Sequence, residues 1–202
     1  MPREKSVFVR STIHGGNSAE TKKTSGIAHL MEHSLTDAWK TCSYNDHQRC
    51  REYWEDKGTI SNAYTGDNEI VYFIQGKTAH CAEMIEYIVA ISSAPFISTK
   101  VINEEKAPVL NELLSYKNET YSRLKQERYE MIYNNEGLQH YENYETQLKN
   151  LKNLNRKEIV KYFRDVYTPH NVSFVVAGNI NVSLVKKQFK ELLEKATHYT
   201  KY

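Results

Sequence analysis

Two histidines and a glutamate stand together in the segment His29-Leu30-Met31-Glu32-His33. Residues four apart on a helix lie one above the other, so the imidazoles of His29 and His33 can reach one metal ion. Zinc suits such a pair. Glu32 lies three residues after His29 on the same side, within reach of a water beside that ion. Zinc lowers the pKa of a water to about 7, and a nearby carboxylate can then take its proton, which is what hydrolysis requires. With eight histidines in 202 residues, a chain of this composition would show the spacing by accident roughly 0.03 times. Gly26 and Ala28, just before the motif, are small and leave room for another backbone or a ligand. The plainer alternative is a pair of surface histidines on an amphipathic helix.

A catalytic zinc usually has three protein ligands and one open position. Glu105 and Glu112 are seven residues apart in a segment that reads as a helix over 101–116. Seven residues are close to two helical turns, so both carboxylates face one way. One can bind metal while the other supports a ligand or the water. An exposed acidic stripe has the same spacing. Pro108 falls between the two and predicts a kink, or a helix that begins near Ala107.

These residues need elements to hold them. Ser6 to His14 alternates as a strand and ends at the Gly15-Gly16-Asn17 turn. Ser25 is the expected cap of a helix running through GIAHLMEHSLTDAW. A short helix stops at Gly58. The stretch TISNAYT, a Gly66-Asp67-Asn68 turn and EIVYFIQG predict a hairpin. Helices are expected over 77–92 and about 121–133. Another follows Asn155, and a last one is capped by Ser183. Val172 to Ala177 reads as a buried strand. The pattern is α+β, a mixed or antiparallel sheet covered by helices, with residues 1–202 forming a single domain.

Composition removes several classes of function. Lys and Arg exceed Asp and Glu by only two, which gives no electrostatic case for nucleic acid or a membrane surface. No run of 18 apolar residues exists, and MPREKSVFVRST lacks the apolar segment of a secretory signal. A cytoplasmic protein with three reduced cysteines (Cys42, Cys50 and Cys81) is the expectation. His14, His47, His80, His140, His170 and His198 lack paired ligand spacing and read as surface or capping residues. Tyr133 to Tyr144 reads as a half-buried connection.

GIAHLMEH resembles the inverted H-x-x-E-H signature of the insulinase/pitrilysin family of zinc peptidases. Glu112 follows His33 by 79 residues, and Glu105 precedes it by seven, as the family's glutamate pair does. Asn62-Ala63-Tyr64-Thr65 matches the family's strand beside the site. Tyr167-Thr168-Pro169-His170-Asn171, leading into VSFVVAGNI, resembles its closing segment. The family's apolar-aromatic segment ending in Gly-Thr is replaced here by SLTDAWKTCS.

The resemblance implies one Zn2+ per chain, held by His29, His33 and Glu112, with Glu32 as general base and Glu105 assisting. It implies a zinc metalloendopeptidase whose peptide substrate lies as an added strand along Asn62, Ala63, Tyr64 and Thr65. Family enzymes close two halves around the substrate like a clamshell. This chain corresponds to one half, so a second family subunit is expected, a heteromer before a homodimer. The rival reading is a non-catalytic regulatory or substrate-binding subunit of the same fold.

Overall fold

The computed structural model describes residues 5–39, 42, 49–93, 95, 97–133 and 143–197. The strands β1 (Ser6–His14), β2 (Ile60–Thr65), β3 (Glu69–Lys77) and β4 (Val172–Gly178) form one antiparallel sheet in the order β2-β3-β1-β4. The helices are α1 (Ile27–Thr36), α2 (Cys50–Asp56), α3 (Cys81–Ser93), α4 (Thr99–Asn118), α5 (Thr120–Tyr133), α6 (Tyr144–Asn153), α7 (Arg156–Val166) and α8 (Val182–Thr197). The fold is thus α+β, as the sequence predicts. The connection after Tyr133, up to residue 142, and His47, His140 and His198 lie outside the described residues. No helix of the described residues is long and apolar enough to cross a membrane.

Alternation along β1 turns Val7, Val9, Ser11 and Ile13 onto one buried face. Helix α3 lies against that face, and the hydroxyls of Ser11 and Ser92 meet at 2.7 Å between them. Helix α1 packs beside it, against β2 and β3. Ten residues are too few to hold a helix alone in water. Ile27, Leu30, Met31 and Leu35 of α1 are all buried, each contributing about 1.5–3 kcal/mol on burial. Packing therefore fixes where the motif of α1 sits. At the far end of α1, Trp39 stacks on Trp54 of α2 with ring centroids 5.6 Å apart, and Tyr87 of α3 closes on both.

The start of α1 is held differently from the expectation. Ser25 does not cap it; the N-cap is Gly26, left-handed at φ +92°. The free amides of Gly26 and Ala28 donate instead to the carboxylate of Glu20, at 2.9 and 2.8 Å. A side chain six residues upstream can do this because the intervening turn folds back, which spacing rules for caps do not detect. Gly26 is also where another backbone comes close: a Cβ there would stand 3.7 Å from the Gln147 carbonyl of α6.

Burial pushes the Glu20 carboxyl up to about 8 from the ordinary 4.5, against the lowering effect of the Ala28 and Gly26 amides. Between those values the folded chain keeps a proton that the unfolded chain has released. Stability is therefore fullest below the window and falls as pH rises through it. Thermal unfolding of Glu20→Gln should show a flatter pH profile than wild type over that range. Parallel profiles would refute this assignment of Glu20.

Other differences have local causes. Strand β4 lies at the outer edge of the sheet with Val175 exposed. A β-branched run reads alike for an edge strand and a buried one. Helix α6 is not predicted from its sequence; Asn143 caps it, accepting from the Thr146 amide at 2.9 Å. Asn181, not Ser183, accepts from the Leu184 amide in the first turn of α8. Asn155 caps α7 as expected, with Glu158 completing a reciprocal capping box.

Candidate metal centre

The face of α1 that carries His29 and His33 looks toward α4. Their rings meet edge to face with centroids 4.9 Å apart. Helix α4 runs from Thr99 to Asn118 with Pro108 inside it, so the helix does not start at Ala107. Pro108 and Glu104 are both exposed, and Pro108 has no amide to donate to the carbonyl four residues before it. One continuous helix thus presents Glu105 and Glu112 together to α1.

Glu112 Oε2 lies 3.2 Å from His29 Nε2, and Glu112 Oε1 lies 3.7 Å from His33 Nε2. Ligand atoms about 2.1 Å from one zinc at tetrahedral angles stand about 3.4 Å apart. The two contacts, one to each oxygen of Glu112, bracket that value, and two imidazoles with a carboxylate are donor types that suit zinc. The His29 hydrogen bond holds the Glu112 carboxyl below the usual carboxylate range.

Among the described residues, ligand atoms of His29, Glu32 and His33 also lie within 4.8 Å of one another. Glu32 differs from Glu112 in its surroundings. It is buried, and burial raises its carboxyl despite the nearby His29 and His33. The hydroxyl of Thr65 donates to Glu32 Oε2 at 3.0 Å. A carboxylate held at a raised pKa beside two imidazoles is poised to exchange protons.

Strand β2 brings Thr65 to Glu32. The loop before α1 and the β2–β3 turn are tied together: Gly15 N donates to Asn68 O at 2.8 Å, Asn17 N to Gly66 O at 3.1 Å and Ser18 N to Asp67 O at 2.8 Å. Gly16 sits at φ +61° with its α-carbon against the turn, and a Cβ there would strike the Gly66 carbonyl oxygen. Thr65 and Ala63 share one face of β2. Asn62 and Tyr64 alternate to the other, where the Tyr64 hydroxyl donates to Glu69 Oε1 at 2.9 Å. Among the described residues, strand β2 pairs only with β3 in the sheet. Its second edge borders an open cleft of about 1060 Å³ that also contains His29, Glu32, His33 and Glu112.

Glu105 is buried and lies outside the zinc-facing pair. Its Oε2 is 3.1 Å from His33 Nδ1; a carboxylate can only accept, so the ring donates. With its proton on Nδ1, a neutral His33 ring would offer Nε2 to a metal. The other oxygen of Glu105 takes a contact from Arg49, which sequence reading does not single out. Arg49 Nε also donates to Asp37 Oδ2 at 2.7 Å. No spacing signal could have found Arg49, which caps α2 and stands 56 residues from Glu105 in the sequence.

Cys42 and Cys50 form a disulfide, with α-carbons 5.0 Å apart. The expectation of three reduced cysteines is therefore corrected: Cys81 alone is free among the described residues. Reduced thiols no longer support a cytoplasmic setting, since disulfides persist mainly in oxidising compartments. His14, His80 and His170 lie apart from the metal-capable group.

The family described as insulinase (peptidase family M16) matches residues 1–142, and the chain belongs to it. The chain is 26% identical over 187 residues to the mitochondrial-processing peptidase subunit beta of Neurospora crassa, covering 89% of this chain and 38% of that protein. It is 25% identical over 185 residues to the uncharacterized zinc protease YmxG of Bacillus subtilis, covering 92% of this chain and 44% of that one. Pitrilysin superposes with a TM-score of 0.82 at 15% identity, over 97% of this chain and 21% of that one, a likeness of fold. The chain spans less than half the length of these curated relatives.

Proposed function

We propose that this chain is the zinc-binding domain of an endopeptidase that hydrolyses a peptide laid along β2. The carrying observation is the separation of roles around one point: Glu112 spans the two histidine Nε2 atoms, while Glu32 is buried beside them and held by Thr65. Zinc, when bound by His29, His33 and Glu112, supplies Lewis acidity toward a carbonyl and acidifies a water. Glu32 takes the proton of the attacking water and passes it to the leaving amine. Glu105 orients His33. The free edge of β2, which includes Asn62, Ala63, Tyr64 and Thr65, offers main-chain hydrogen bonds to an extended substrate in the manner of an added strand.

The cleft is open, and peptide hydrolysis gains from a closed site that orients the substrate. A second domain of similar fold, on another subunit or in a longer parent, supplies that wall. The shortness of this chain against its relatives supports the reading. The purified chain should carry one zinc and cleave unstructured peptides slowly. Adding the second subunit should raise the rate with zinc content unchanged. Full activity of the monomeric chain on its natural substrate would refute the two-part assembly.

A further inference from the structure

We propose that Arg49 is a positioning residue for the metal centre, anchored by the Cys42–Cys50 bridge, and that it acts through Glu105 on His33. The inference rests on the zinc-site reading above. Three carboxylate and imidazole contacts form a continuous line. Asp37, the residue that caps the end of α1, accepts from Arg49 Nε at 2.7 Å and from the Cys50 amide at 2.8 Å. The terminal guanidinium nitrogen of Arg49 meets Glu105 Oε1. Glu105 Oε2 accepts from His33 Nδ1 at 3.1 Å.

Exposed ion pairs ordinarily contribute little, but this one is not of that kind. The side chains of Glu105 and Asp37 are only 6% and 12% exposed, although Arg49 itself is 53% exposed. A buried carboxylate needs partners for both oxygens. His33 satisfies one oxygen of Glu105, and Arg49 satisfies the other. Without Arg49 the free oxygen would turn toward water or toward His33, and the ring would lose its fixed direction. Arginine suits the task because its planar fork offers Nε to one carboxylate and a terminal nitrogen to another. A lysine ammonium is a single point and cannot hold both in the same way.

The bridge explains how Arg49, the cap of α2, keeps this place. Cys42 follows α1 and Cys50 opens α2, so the covalent link returns the chain to the end of α1 just where Arg49 must reach Asp37. The aromatic stack of Trp39 on Trp54 packs the same seam. Opening the bridge releases Arg49 from one of its anchors, and zinc retention follows the bridge.

The test is zinc affinity, measured by competition with a chromophoric chelator, on the full chain. Loss of a supporting contact typically weakens metal binding about 10–100-fold. Arg49→Gln should weaken zinc by about 10-fold, Arg49→Lys by less, and Cys42→Ser/Cys50→Ser by an amount like that of Arg49→Gln. Arg49→Gln should also lower the thermal midpoint of the zinc-free protein, because buried Glu105 loses a partner. In a Glu105→Gln background, Arg49→Gln should have little further effect. Equal loss from Arg49→Gln in both backgrounds, or wild-type affinity in Arg49→Gln, overturns the proposal while leaving the zinc site intact. A wild-type chain that takes up no zinc overturns the zinc site itself and this inference with it.

Discussion

Glu32→Gln should keep one zinc per chain and lose peptide hydrolysis by about 10²–10⁴-fold, the range that a positioned base contributes. The amide is nearly the same shape as the carboxylate but cannot take the water's proton. The Thr65 hydroxyl, now 3.0 Å from Glu32 Oε2, can still donate to the amide oxygen. Burial penalises the charge of Glu32, so the neutral amide should leave the thermal midpoint at or above that of wild type. A catalytic group is then bought at some cost in stability. The measurements are zinc analysis, turnover of a quenched peptide and thermal unfolding on the same preparations. Turnover near that of wild type, with contaminating protease excluded, sinks the role given to Glu32.

His33→Ala should empty the metal centre. His33 would donate one ligand atom, and its other nitrogen engages Glu105, so the substitution removes a ligand and strands a buried carboxylate. Zinc affinity should fall by more than the roughly 10–100-fold that losing a supporting residue costs. Glu112→Gln should also weaken the metal, because a neutral amide oxygen is a poorer zinc ligand than a carboxylate. Glu105→Gln should have the smallest effect of the three. Full zinc occupancy in His33→Ala would show that the ligands lie elsewhere.

The residues that carry local periodicity are the ones the sequence makes readable. His29, Glu32 and His33 announce a helical face by their spacing alone. Glu105 and Glu112 do so once a helix is assumed, and β1 and the β2–β3 hairpin follow from alternation and turn residues. What stays hidden depends on distant parts of the chain. Glu20 replaces Ser25 at the start of α1 because a turn folds back onto it. Arg49 and Asp37 join the site beside a disulfide between two cysteines eight residues apart, a spacing that matches no ligand motif. Pro108 argues locally against one long helix. Packing of Ile102, Glu105, Val109 and Leu113 along the buried side of α4 outweighs it, with the proline turned to solvent.

The stacked pair Trp39 and Trp54 accounts for both tryptophans of the chain. Tryptophan fluorescence therefore comes from one spot, the seam where the end of α1 meets α2 and α3. A denaturation curve followed by this light reports the seam. It equals unfolding of the whole chain only where it coincides with far-ultraviolet circular dichroism. Trp39 stands two residues beyond Asp37, so the same emission gives a label-free optical signal of whether the neighbourhood of the metal ligands is assembled.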